Sequence, residues 1–254
     1  MWLQNQADRR VWVEFGWLPA IDPKATSPAM RAWVAAQEMA LLELFKEHAW
    51  EPSEGGGGLV FPLKPESIKR AHSEPDKVKV GFATCNGHLA GAVVIHLDDA
   101  IKPYAHRSVA LVKRSLNVQS VAFVRSLCVS RHLRGFGIGR ALLTLAREIS
   151  QELGAGAIVG HLRVNPQPEE RLRRAYEQGG FSPLGEEITV TIQKEDNGWK
   201  ELFGREIPVC PDQLREASIV KIGYVPVAAR CSVIRGQRLT GASGSETHAV
   251  SASC

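Results

Sequence analysis

The chain has 254 residues, 44% of them apolar, and its 31 Lys and Arg against 27 Asp and Glu give a net charge of +4. That length holds one large domain or two small ones, and the apolar share suits a globular protein with a sizeable core. The mild positive charge, with no block of like charges, fits a small anionic ligand and is too weak to point to nucleic acid; no segment reaches the apolar length that spans a bilayer.

Cys85, Cys128, Cys210, Cys231 and Cys254 are odd in number, scattered and without CxxC spacing. This speaks against a disulfide framework or a zinc site and for a reducing cytoplasm. The N-terminus carries Arg9, Arg10 and several polar residues and no long apolar run, so no signal peptide is expected.

In chain order, Val11 to Trp17 alternates as a strand and ends before Pro19. Thr26-Ser27-Pro28 is a helix start, with a hydroxyl cap and a proline in the first turn. Trp33, Val34, Leu41, Leu44 and Phe45 then predict an amphipathic helix from Pro28 to about His48. Glu51 to Gly58 (EPSEGGGG) is a flexible loop, and Pro65 to His72 a short second helix. Val78–Thr84 and Leu89–Leu97 are strands joined at Asn86-Gly87, a strong hairpin signal. Asp98 to Asn117 is expected to be a polar, irregular insertion, and Val121 to Val129 the next strand.

A glycine-rich turn follows at Arg134-Gly135-Phe136-Gly137-Ile138-Gly139-Arg140, and a long helix with one apolar stripe (Ile138, Leu142, Leu145, Ala146, Ile149, Leu153) runs to Gly154. Ala157 to Val164 reads as a central strand stopped by Pro166 and Pro168. Glu169 to Gln178 is a helix closed by Gly179. Glu187–Gln193 and Ser218–Val225 are the last strands. The fold class is therefore α/β: one mixed sheet covered by helices. A single domain is expected over 1–233, with a small, polar, aperiodic tail at 234–254 expected to be disordered.

A strand that feeds glycines at a helix N-terminus makes a phosphate site, because the glycines let an anion approach the backbone and the first-turn N–H groups point at it. A P-loop needs Gly-Lys-Ser/Thr, and Gly139-Arg140-Ala141 departs from that. A dinucleotide site needs a small residue where Arg140 stands and an acid after the next strand, where Leu162-Arg163-Val164 has none. A methyltransferase-type GxGxG site places an acid where Arg134 stands.

The pattern Arg134-x-x-Gly137-x-Gly139, with Leu127-Cys128-Val129 upstream and Ala175-Tyr176-Glu177-Gln178-Gly179-Gly180-Phe181 downstream, resembles the GNAT superfamily of acyl-CoA-dependent N-acyltransferases. The close match covers roughly Val121 to Phe181, with a looser topological match from about Arg9 to Val225. The resemblance implies that acetyl-CoA, or another acyl-CoA, lies between the splayed strands Val121–Val129 and Ala157–Val164. Backbone groups of Leu127, Cys128 and Val129 would meet the pantetheine arm. The pyrophosphate would rest on the N–H groups of Gly135, Phe136, Gly137, Ile138, Gly139 and Arg140, with Arg134 and Arg140 adding positive charge.

The implied chemistry is direct attack of an amine on the thioester carbonyl, with no metal. Tyr176 stands where the family commonly has a tyrosine that protonates the leaving thiolate; a packing role is also open to it. The Val129 N–H is a candidate oxyanion donor. The base is the departure from the family pattern, because Asn117 to Ser130 holds no acid. His161 is a candidate, a structural role also being open to it, and deprotonation through water is an equal alternative; Asp98 and Asp99 either contact an acceptor amine or are solvated loop acids. Asn165 either touches the pantetheine arm or shapes the turn before Pro166. Cys128 reads as a buried strand residue. The expected protein is an acetyl-CoA-dependent N-acetyltransferase of a small-molecule or protein amine, monomeric or homodimeric. The alternative is a non-catalytic acyl-CoA-binding or regulatory domain. Lys102, His106, Arg107, Lys113 and Arg114 hint at an acidic acceptor, beside the plainer reading of a solvated loop.

Overall fold

The computed structural model describes residues 1–5, 7–21, 26–48, 63–101, 103–165, 170–185, 187–195, 198–202 and 219–231. The flexible loop expected over 51–58 and the tail expected over 234–254 lie outside them. Strands β1 (Trp2–Gln4) and β2 (Arg10–Trp17) precede helices α1 (Pro28–His48) and α2 (Pro65–Ser73). The hairpin β3 (Val78–Cys85) and β4 (His88–His96) leads through a 3-10 turn to α3 (Pro103–Leu116). Then come β5 (Val121–Val129), a second 3-10 turn at Arg131–Leu133, α4 (Ile138–Glu152), β6 (Ala157–Asn165) and α5 (Glu170–Gln178). The described elements close with β7 (Ser182–Pro183), β8 (Ile188–Glu195), β9 (Gly198–Leu202) and β10 (Ile219–Arg230).

Local chemistry accounts for the boundaries that matter. Ser27 Oγ accepts from the Met30 N–H at 3.2 Å and caps α1 just ahead of Pro28. Asn86 and Gly87 take φ of 52° and 77°, the left-handed pair of a tight hairpin turn. His72 ties α2 to α1: its Nδ1 donates to the Pro19 carbonyl at 2.6 Å, and Nε2 lies 2.8 Å from Glu38 Oε1.

The strands form one sheet in the order β1-β2-β3-β4-β5-β6-β10-β8-β9, with β7 alongside β10. Every described pair is antiparallel except β5 with β6. The sheet is thus mixed and mostly antiparallel, flanked by helices. Strand alternation sorts the core onto two faces. On one face Val93, Ile95, Ala122, Val124 and Ile158 pack against Leu142, Leu143 and Ala146 of α4 and Tyr176 of α5. On the other, Ala92 and Val94 meet Leu41, Leu44 and Phe45 of α1, while Val121, Phe123, Ala157 and Val159 meet Ala105 and Val112 of α3.

Two elements differ from the sequence reading in ways that bear on function. Residues expected to be an irregular insertion form α3. Its inward side carries Ala105, Ser108 and Val112, all 0% exposed and spaced at helical intervals, while His106, Arg107, Lys113 and Arg114 face solvent. The last strand runs to Arg230, past Pro226, where a strand reading stops. Pro226 accepts from the Leu184 N–H at 2.7 Å. Because the N and C=O of one strand residue point to the same side, the missing N–H also faces that edge. There β10 passes from its pairing with β8, ending at Tyr224↔Ile188, to its pairing with β7, beginning at Val227↔Pro183. The proline therefore sits at a change of partner and interrupts neither ladder.

Candidate active site

β5 and β6 pair over only three residues, Val121↔Ala157, Ala122↔Ile158 and Phe123↔Val159. Beyond Phe123, β5 stays with β4 as far as Gly91↔Val129. Beyond Val159, β6 stays with β10 as far as Gly223↔Asn165. The two strands thus part, and their inner edges border a wedge in the middle of the sheet. A bulge falls at Arg125, between the pairs Ile95↔Val124 and Val94↔Ser126. The extra residue reverses the alternation, so Leu127 and Val129 face α4 while Cys128 faces α1.

The wedge opens toward the glycine-rich turn. Arg134 is extended (φ −68°, ψ 146°), and its Nε donates to the Val129 carbonyl at 3.2 Å, tying the turn to the strand end. Gly135 and Gly137 have φ of 89° and 82°, a region that glycine enters without steric cost. Gly137 is the N-cap of α4 and supplies no side-chain cap. The helix ladder begins with Ala141 donating to the Gly137 carbonyl at 3.0 Å, so the amides of Ile138, Gly139 and Arg140 lie ahead of it. The first turn holds no acid. With Arg140 exposed and Arg134 half-buried beside it, the helix start favours an anion. Phe136 and Ile138 are buried side chains of the main core, so only their backbone is available to a ligand.

Tyr176 is 4% exposed, with its ring 5.2 Å from that of Phe181. Its hydroxyl lies against β6 at Gly160, where a Cβ would stand only 2.5 Å from Oη. Gly160 is the first β6 residue beyond the paired segment, so the phenol reaches the closed end of the wedge because this residue has no side chain. The sequence reading passed over Gly160, although an isolated glycine inside an apolar strand is itself a sign of close approach.

His161, the next residue, points to the opposite face. Its Nε2 is 2.7 Å from Ser108 Oγ of α3, and its ring packs 5.0 Å from Phe123 and 5.3 Å from Tyr224. Burial, reinforced by the positive charge of Arg125, pushes its pKa down from 6.5 to about 4, so the imidazole is neutral at neutral pH. The two candidate catalytic side chains thus flank the wedge from opposite faces. Asp99 is held away from it by Lys77 Nζ at 3.0 Å. Cys128 Sγ lies 3.9 Å from the Leu44 carbonyl in the α1 core, as a packing residue does. Asn165 closes β6 opposite Gly223. No helix among the described residues is long and apolar enough to cross a membrane. Nor, among them, is any group of three or more His, Cys, Asp and Glu arranged to hold a metal ion.

A parallel strand pair that splays over an anion-receptive helix start is the frame of an acyltransferase-type α/β fold. The chain belongs to the GNAT acetyltransferase family, whose model matches residues 41–181, a span that contains the wedge, the turn and Tyr176. No curated protein matches the chain in sequence. Similar solved structures include a GNAT-family acetyltransferase of Streptococcus pneumoniae, 15% identical over 86% of this chain and 99% of that one, with a TM-score of 0.48. The ribosomal-protein-S18-alanine N-acetyltransferase of Escherichia coli is 11% identical over 93% and 99%, with a TM-score of 0.45. Naa50 of Arabidopsis thaliana, in complex with the bisubstrate analogue CoA-Ac-MVNAL, is 16% identical over 85% and 98%, also with a TM-score of 0.45.

The glycines differ in what they require. Gly137→Ala forces a Cβ into left-handed backbone and is expected to cost about 1–2 kcal/mol in urea denaturation. Gly139→Ala brings its Cβ only to 3.6 Å from Val129 Cγ2 and should leave stability within about 0.5 kcal/mol. Gly160→Ala must displace the Tyr176 ring and should cost about 1–3 kcal/mol. Equal effects at all three positions would contradict this geometry.

His161 makes stability depend on pH. An unfolded histidine binds a proton near pH 6.5 and the folded one only near pH 4, so between these values the unfolded chain holds more protons and stability falls as pH falls. The expected loss is up to about 3 kcal/mol on passing from pH 7 to below pH 4. His161→Gln, which keeps a polar group toward Ser108, should flatten that part of the urea midpoint against pH; an unchanged slope would remove His161 as its source.

Proposed function

We propose that the protein is an acetyl-CoA-dependent N-acetyltransferase. The observation that carries this reading is the wedge between β5 and β6, bordered by two strand edges that part after three pairs, anchored at its open end by the α4 N-terminus and met near its closed end by the Tyr176 hydroxyl. The fit is chemical. An extended arm with amide groups finds strand edges on which to pair, and a pyrophosphate finds left-handed glycines, leading amides and two arginines.

Acetyl-CoA, when bound, supplies the activated acetyl thioester. The chain's own residues then do four things. Leu127 and Val129 hold the arm through their backbone, with the bulge at Arg125 setting which face their side chains take. The Val129 N–H donates toward the carbonyl oxygen as it gains negative charge. His161, neutral and oriented by Ser108, takes a proton from the attacking amine directly or through water. Tyr176 gives its phenolic proton to the sulfur as the C–S bond breaks and the C–N bond forms, and regains it from solvent. The buried position of Tyr176 keeps competing water away from that proton.

Tyr176→Phe keeps the ring and removes the proton. Thiol release from acetyl-CoA with a reactive acceptor is expected to fall about 100-fold, with acetyl-CoA affinity within about twofold of the unsubstituted chain. Loss of binding and turnover together would make Tyr176 a packing residue. A chain that binds acetyl-CoA but releases no thiol with any amine class would be a non-catalytic acyl-CoA-binding domain.

A further inference from the structure

Helix α3 carries a feature that the acyl-transfer reading does not use. Between it and the turn joining β7 to β8 lies a cleft of about 400 Å³, lined by Arg107, Ala110, Leu111, Arg114, Gly185 and Ile188. Its middle is apolar and its two ends are cationic. Arg107 and Arg114 are seven residues apart, two helical turns, and both are exposed and in no ion pair with a described residue. The small side chain of Ala110 leaves the space between them open. The opposite wall is fixed: Gly185 has φ +75°, and a Cβ there would stand 2.8 Å from Leu111 Cδ2, so turn and helix are in close contact.

The cleft borders the catalytic cluster through both of its walls. Arg107 adjoins Ser108, which holds His161, and Ile188 pairs with Tyr224, whose ring packs on His161. The segment Pro103–Leu116 contains basic residues and no acid; in the facing wall Glu187 is exposed and does not line the cleft, so among the described lining residues the two arginines alone carry charge.

We infer that this cleft seats an acidic stretch of a peptide acceptor whose amine is presented to His161; the inference rests on the acetyltransferase reading. The charge pattern selects carboxylates, and Arg recognises them through two parallel N–H donors. The shape selects a chain segment. Seven residues of helix rise about 10 Å, which is the reach of about three residues of extended peptide. Pockets for small molecules enclose most of their ligand, whereas Arg107, Ala110, Arg114 and Gly185 are exposed and leave an open trough.

The test uses the full chain and a fluorescently labelled peptide, Ala-Asp-Gly-Gly-Asp-Gly-Gly-Ser, against the same peptide with asparagine for aspartate. Anisotropy should show the acidic peptide binding about tenfold more tightly, with the difference shrinking as salt rises from about 50 to about 200 mM. Arg107→Gln combined with Arg114→Gln should abolish the preference. Lys113→Gln, which removes one positive charge from the same helix outside the cleft, should leave it within about twofold. Equal binding of the two peptides, or equal loss in the Lys113 variant, overturns the inference. Competition by free glutarate at the peptide's own concentration also overturns it, in favour of a small-molecule anion site. Acetyl-CoA binding is measured separately. Its absence in the unsubstituted chain defeats the acetyltransferase reading. Acetyl-CoA binding with thiol release that ignores peptide charge defeats only the acidic acceptor.

Discussion

Everything in the site depends on β5 and β6 parting company after three residues. Parallel strands held side by side satisfy their inner N–H and C=O groups on one another; these two instead keep only their outer partners, β4 and β10. Two local features favour the separation. The bulge at Arg125 adds a residue to β5 and increases its local twist, turning the strand away from β6 just past Phe123. On β6, Gly160 lets the Tyr176 hydroxyl approach the backbone at the same level. The cost is a row of backbone groups in the centre of a sheet without a strand to meet them. A protein keeps such an edge when something extended is to lie there, and the glycine-rich start of α4 stands at its end to receive a charged group.

The bulge also decides which side chains serve which layer. Val124 faces α4, and without the extra residue Cys128 would face it too. With the residue inserted, Leu127 and Val129 turn to α4 and Cys128 is buried against α1, its sulfur near the Leu44 carbonyl. Tyr176 and His161 are divided in the same way by simple alternation along β6. The candidate site is therefore two-sided: a phenol delivered by α5 against Gly160 on one face, and an imidazole held by Ser108 of α3 at the next residue on the other.

Much of this was legible in the residues. Val121–Val129 reads as a strand because nine residues of mostly apolar, often β-branched character are bounded by polar ones, and the structure has those bounds. The turn that follows reads as an anion site because its glycines fall where left-handed backbone is needed. Three of the features that were hidden show the physical reasons. Helix α3 is amphipathic, yet its buried side uses Ala105 and Ser108 in place of large apolar residues, so its periodicity is faint beneath four basic side chains. β10 contains Pro226, which ordinarily ends a strand; only the exchange of β8 for β7 at that point makes it harmless, and such an exchange is a tertiary fact. The strand β1 is three residues long, and Trp2 is tied to the sheet by register with Trp12 and by an edge-on ring contact at 5.6 Å, neither of which a local pattern can contain.

On the proposed reading, with His161 as the base, the absence of a carboxylate on β5 acquires a meaning from α3. A glutamate base needs only a strand to carry it, whereas an imidazole needs its ring orientation and its protonation state fixed from outside. Here α3 contributes Ser108 at 2.7 Å to orient the ring, burial holds the ring neutral, and Arg125 pushes in the same direction. A cation beside a proton acceptor lowers its basicity and repels a charged ammonium, which makes sense only if the amine arrives uncharged or the rest of the acceptor offsets the charge. A negative group on the acceptor would do that, and Arg107 of α3 directly precedes Ser108, the residue that contacts the imidazole. On the proposed reading, the helix that orients the base also carries the cleft that takes the acceptor, so both roles fall to the single helix inserted between β4 and β5.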